Sequence, residues 1–202
     1  MTRVVDYYMH PVSPWTFLGH RTLREMLTRH GAQVRIKPFD LGARVFPISG
    51  GVPLPKRAPQ RQAYRLVELP RWAALRGEPL VLQPKFFPAP GDDACRMIIA
   101  ADQAHGIDAA MTLAGAVMRA VWCEERNMGD TATLRAIVGE CSLDPDALSN
   151  ASAQAQAQAA YDTYTQEAID RGVFGVPWYV YRDEPFWGQD RLDFLDRALA
   201  RG

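Results

Sequence analysis

No two of the three cysteines, Cys95, Cys123 and Cys141, form a C-x-x-C pair or a metal-type spacing. That excludes the local dithiol and zinc motifs that such spacings build. Each cysteine lies in a helical-looking, largely apolar stretch and reads as a small buried hydrophobe. The four histidines, His10, His20, His30 and His105, lack the H-E-x-x-H or paired arrangement of a zinc centre, so no metal is expected. Net charge is missing as well. The 23 basic and 23 acidic residues cancel without a run of either sign, which argues against attraction to nucleic acid or an anionic membrane surface. No stretch approaches the roughly 18 uninterrupted apolar residues of a spanning helix. Nor does a basic segment followed by an apolar one open the chain, as in a secretory signal. The expectation is a cytoplasmic protein that acts on a small molecule, with neither nucleic acid nor membrane as partner.

What is present reads as one substantial core in 202 residues, allowing a single domain or one carrying an insertion. Val4 to Tyr8 is rich in β-branched and aromatic residues and stops at His10-Pro11. Ser13 then suits a helix N-cap and Pro14 the first helical position. Leu18, Leu23, Met26 and Leu27 follow at helical spacing, and Gly31 reads as the terminator. Val34 to Phe39 alternates as a second strand, so the first 40 or so residues read β-α-β, for which a parallel sheet is the default. A Gly- and Pro-rich connection spans 43–59 and exceeds a structural turn. From 60 to 171 helix signals take over, with helices expected at 60–76, 93–104, 109–125, 131–141 and 152–171. Beyond Gly172 the pattern returns to strands, Trp178 to Tyr181 and Phe186-Trp187 around a turn. Gly188 opens a last amphipathic helix through Leu192, Leu195 and Leu199, with Asp190 in its first turn.

The order βαβ, helices, ββα is that of an α/β thioredoxin-like fold with a large inserted all-helical domain. The divisions fall at 1–44, 45–171 and 172–202. Ser13-Pro14-Trp15-Thr16-Phe17-Leu18-Gly19, Gly172-Val173-Phe174-Gly175-Val176-Pro177 and Trp187-Gly188-Gln189-Asp190-Arg191-Leu192 carry a resemblance that extends over essentially the whole chain, Arg71-Trp72-Ala73 included. The sequence resembles the 2-hydroxychromene-2-carboxylate isomerases, relatives of DsbA-like proteins and kappa-class glutathione transferases. Redox members of that wider group carry C-x-x-C where this chain has Ser13-Pro14-Trp15-Thr16. A hydroxyl cannot form or cleave a mixed disulfide, so dithiol exchange at this position is excluded.

The resemblance implies glutathione as cofactor, with Ser13 as the catalytic partner of its thiolate at a helix N-terminus. Val176 and Pro177, the latter expected to be cis, would face that helix start and pair with the cysteinyl backbone. Trp187, Gly188, Gln189 and Asp190 would meet the γ-glutamyl end. Arg44, Val45, Lys56 and Phe86 are candidates for the second substrate, with Arg57 beside Lys56 able to meet its acid group or the glycyl carboxylate, and Trp15, Phe87 and Trp72 are candidates for an aromatic wall. The implied activity converts 2-hydroxychromene-2-carboxylate to trans-o-hydroxybenzylidenepyruvate in aromatic hydrocarbon degradation, such as that of naphthalene, by reversible addition of the glutathione thiolate. A homodimer is implied too. Pro53-Leu54-Pro55 stands where the isomerases carry a polar residue. Two alternatives therefore stay open, a kappa-like transferase that conjugates electrophiles and a non-catalytic thioredoxin-like binding module.

Overall fold

The computed structural model describes residues 2–202. Strand β1 (Val4–Met9) leads into helix α1 (Pro14–His30), which returns the chain to β2 (Gln33–Pro38). The two strands pair in parallel, Val4 opposite Gln33 and Met9 opposite Pro38, an arrangement that requires a crossover helix between them. Gly31, at φ +57°, ends α1 in the left-handed conformation with its N–H turned back to the last carbonyls, as a glycine terminator does. A π-helical turn (Leu41–Val45) and the short α2 (Phe46–Ser49) follow, so the first part of the expected open connection is helical. The chain continues through α3 (Pro59–Arg76), α4 (Asp92–His105), α5 (Ile107–Trp122), α6 (Thr131–Glu140), α7 (Pro145–Ser149) and α8 (Ala151–Asp170). It ends with β3 (Trp178–Tyr181), β4 (Glu184–Trp187), a 3-10 turn (Gln189–Arg191) and α9 (Leu192–Ala200).

The strand order is β2-β1-β3-β4. The sheet is mixed, not parallel as the opening unit suggested. β3 starts beside the end of β1, with Trp178 opposite Tyr8, and runs back along it. The hairpin then places β4 antiparallel to β3 through Arg182 and Asp183, both at positive φ, the backbone that a two-residue hairpin turn demands.

Strand β1 is central and covered on both faces. Val5, Tyr7 and Met9 join Leu18, Leu23 and Leu27 of α1 and Leu192, Leu195 and Leu199 of α9 in one apolar cluster, which continues unbroken into α4 and α5. Tyr7 and Tyr179 stack within it at 5.4 Å. The other face collects Tyr8, Phe39, Val45, Val176, Trp178 and Val180 under Ala168 of α8. There Asp6 is buried but paired, with Arg35 Nε at 2.5 Å and Lys37 Nζ at 3.6 Å, and Lys37 also pairs with Glu167 of α8. A lone carboxylate at that depth would be costly, and the paired cations offset part of that cost. Of the cysteines only Cys95 is buried; Cys123 and Cys141 are half-buried because they sit at the C-caps of α5 and α6, where the chain leaves the core.

His20 on α1 is buried, its Nε2 2.9 Å from the Met111 carbonyl and its Nδ1 3.4 Å from the Tyr7 hydroxyl. Burial lowers its pKa from an ordinary 6.5 to about 4. A neutral imidazole in the fold contributes stability that is complete above the unfolded value and is lost as pH falls from 6.5 towards 4. Urea denaturation should show stability declining by about 1.4 kcal/mol per pH unit in that window on account of this one group. In His20→Asn that component of the slope should vanish. An identical slope in the variant would mean that the folded protein protonates His20 normally.

Candidate functional site

Ser13 stands where β1, having turned at Pro11, hands the chain to α1. Its backbone is extended (φ −84°, ψ 124°), and its Oγ accepts the Thr16 N–H at 3.3 Å, the N-cap interaction that serines favour. Accepting this bond leaves the hydroxyl proton free for a ligand, beside the positive end of a 17-residue helix that favours an anion. The preceding turn is held from below. The Ser13 N–H donates to the His10 carbonyl at 3.1 Å and the Val12 N–H to His10 Nδ1 at 3.3 Å. His10 is itself buried, with Nε2 4.0 Å from Asp92, and the Tyr161 hydroxyl donates to Asp92 at 2.6 Å. His10 first, and Tyr161 after it, hold the Asp92 carboxyl down at about 2. None of these three was expected from sequence.

Phe174, Gly175 and Val176 form the facing wall, and the Val176-Pro177 bond is cis. Strand pairing starts only at Trp178, so Val176 lies outside the ladder, where an extended peptide ligand can meet it. Trp187 lies across Gly175 so closely that a Cβ there would fall 2.6 Å from the indole Nε1. Phe174 packs edge-on against Trp187 at 4.5 Å and against Trp178 at 4.9 Å. Gly188, at φ +99°, donates its N–H to the Pro177 carbonyl at 2.9 Å and ties β4 to this wall.

The two walls enclose a cavity of about 820 Å³, closed elsewhere by Leu41, Phe46, the 49–58 connection, the cavity side of α3 and Phe87-Pro88-Ala89. That lies within the range of small-molecule and cofactor sites. Among the described residues four cations line it, Lys56, Arg57, Arg61 and Arg65, and no carboxylate does.

Of the residues expected from sequence, Ser13, Val176, Trp187, Lys56 and Arg57 meet in this cavity, together with Trp15 and Phe87. Pro177 stands behind Val176. Gly188, Gln189 and Asp190 adjoin Trp187 without lining the cavity. Gln189 is buried, its carboxamide and carbonyl oxygens held by Arg76 at 2.9 and 2.8 Å, and Asp190 pairs with Arg191 at 2.8 Å. The 3-10 turn is drawn down onto α1 because Gly19 has no side chain; a Cβ there would be 2.8 Å from Gln189 Cβ.

Arg44, Val45 and Phe86 do not reach the cavity. The π-helical turn sends Arg44 towards Asp162 and Gln166 of α8 and buries Val45 in the core beneath the sheet. Phe86 lies under the Lys85 ammonium, and its neighbour Phe87 takes the wall position. Trp72 donates its indole N–H to Glu68 at 3.2 Å, away from the cavity. Phe46, Phe174, Arg61 and Arg65 are lining residues that the sequence reading missed. The spacing of four between Arg61 and Arg65 was the available signal, since it stacks them on one face of α3.

A model of the DsbA-like thioredoxin domain matches residues 4–200. Over 199 residues the chain is 33% identical to a 2-hydroxychromene-2-carboxylate isomerase of Pseudomonas putida, covering 98% of this chain and 95% of the relative. It is 30% identical to the enzyme of that name from Sphingobium xenophagum, covering 98% and 99%. The solved structure of a selenomethionine 2-hydroxychromene-2-carboxylate isomerase superposes with a TM-score of 0.82 at 31% identity, covering 98% and 95%.

Because Trp187 occupies the space of a Gly175 side chain, Gly175→Ala should displace the indole and break the Phe174–Trp187 contact. Near-ultraviolet circular dichroism should change with the far-ultraviolet spectrum preserved. Superimposable near-ultraviolet spectra would show that the ring tolerates the methyl group.

Proposed function

The chain belongs to the DsbA-like thioredoxin domain family and, within it, to the 2-hydroxychromene-2-carboxylate isomerases, and from that premise we propose that it is a glutathione-dependent isomerase of this type. The proposed reaction converts 2-hydroxychromene-2-carboxylate to trans-o-hydroxybenzylidenepyruvate in aromatic hydrocarbon degradation. The observation that carries the reading is Ser13, a capping serine with an uncommitted hydroxyl proton at the start of a long helix, facing a cation-lined cavity.

Three features fit glutathione. The α1 start favours an anion, Val176 lies outside the ladder beside it, and among the described residues no carboxylate in the lining repels an acidic tripeptide. Bound glutathione supplies a sulfur nucleophile and is recovered unchanged. Ser13 donates a hydrogen bond to that sulfur while the first amides of α1 stabilise its charge. Together these lower a thiol pKa by about one to two units, roughly 1.4 kcal/mol each. Val176 pairs with the cysteinyl backbone, and Lys56 and the cations beside it offset the negative charge of two acidic ligands. Trp15, Phe87, Phe174 and Trp187 provide faces for an aromatic ring. Around Gly188 to Asp190, the γ-glutamyl amine is matched by the Asp190 carboxylate once Arg191 yields it. The same reading carries the cytoplasmic location expected from the sequence and the homodimer that the family implies.

Ser13→Ala should lower turnover of the chromene with glutathione about ten- to hundredfold, the worth of one charge-assisted hydrogen bond. Loss of the cap should cost only about 1 kcal/mol of stability. Full turnover in the variant would overturn the assignment of Ser13. Conjugation of chlorodinitrobenzene without chromene isomerisation would favour a transferase, and absence of glutathione binding by calorimetry a non-catalytic module.

A further inference from the structure

Among the four cations of the cavity, Arg65 is unlike the rest. Lys56 and Arg61 are exposed, and Arg57 donates its Nε–H to the Val52 carbonyl at 2.7 Å. Farther along the same helix, Arg76 is satisfied by two oxygens of Gln189. The Arg65 guanidinium instead rests over two aromatic rings, 5.1 Å from the centre of Phe87 and 5.8 Å from that of Trp122. Its Nη2 is sealed from solvent and has no hydrogen-bond acceptor. Burial, followed by the repulsion of Arg57, lowers its pKa to about 10. Phe87 and Trp122 are themselves packed 4.7 Å apart, so the cation rests on a fixed platform, Trp122 being fully buried.

A guanidinium nitrogen sealed from solvent without an acceptor is unfavourable by itself. Its planar fork, already oriented, lacks only the anion it is shaped to receive. We propose that Arg65 recognises the carboxylate of the second ligand and thereby restricts the cavity to aromatic acids, an inference that rests on the reading of the cavity as a site for glutathione plus an aromatic substrate. The ring of such an acid lies against Phe87, the wall residue that also supports the guanidinium, so acid and ring are read by one residue pair. Lys56 and Arg61, in solvent, add attraction without selecting geometry.

Calorimetric titration of the intact protein with trans-cinnamate and with the neutral cinnamamide, each in saturating glutathione, tests this directly. The wild type should bind cinnamate about ten- to hundredfold more tightly than the amide. Arg65→Met should abolish that preference while weakening glutathione binding, titrated separately, by a much smaller factor than cinnamate binding. If Arg65→Met does not fold, Arg65→Lys, which keeps the charge but loses the planar fork, should still reduce the preference. Equal affinities in the wild type, no measurable cinnamate binding, or a preference that survives both substitutions would overturn the proposal. A preference lost with Arg65 in a protein that does not bind glutathione would support the carboxylate site and overturn the two-ligand reading instead.

Discussion

The parallel pairing of β1 with β2 is the constraint from which the rest follows. Two parallel neighbours can be joined only by a crossover, so α1 has to start where β1 finishes. The start of a helix collects unpaired amide donors, and this topology delivers them to the end of the sheet where β1 finishes. The antiparallel return of β3 starts at the same end, with Trp178 beside Tyr8, which brings Gly175 and Val176 to face Ser13 across the cavity. Neither wall needs a long loop to position it. Both are ends of elements whose interiors are buried.

Ser13 accordingly does two jobs with one hydroxyl. As acceptor it satisfies the Thr16 amide and terminates α1 cleanly; as donor it remains open to the cavity. The support below it is polar and buried, running from the Val12 amide through His10 to Asp92 and Tyr161. That chain links the strand end to α4 and α8, so helices from the middle of the sequence brace the turn on which the site stands.

The β-α-β opening, the final hairpin and α9 were legible because their signals are local: a proline that stops a strand, a glycine past a helix, an alternation of two or a recurrence of three and four. The long middle helices were legible for the same reason, within a few residues at their ends. Short helical pieces were not. Five residues in α7 and nine across the π-helical turn and α2 are too few to establish a period, and glycine and proline around them suggested open chain. Arg44 and Val45 were misplaced on that account, since the twist of one short turn decides which side chain enters a cavity and which enters the core. The direction of β3 and the stacking of Arg65 on Phe87 and Trp122 depend on parts of the chain far apart in sequence, and no local pattern encodes them. Gln189 and Asp190 were expected beside the ligand because of what surrounds them in sequence; a missing methyl group on Gly19 draws them onto α1.

A serine at the head of α1 also has no oxidation state to maintain. A cysteine there would climb from sulfenic to sulfinic acid under peroxide and need a reductant to recover. It would also settle at a disulfide ratio set by the potential of its compartment. The Ser13 oxygen is indifferent to both, and the half-buried Cys123 and Cys141 have raised pKa values and lie outside the cavity wall. The residue at the head of α1 therefore does not age with oxidative exposure. Any sulfur that works there arrives and leaves with a small molecule, so damage to it is cleared by exchange rather than by repair.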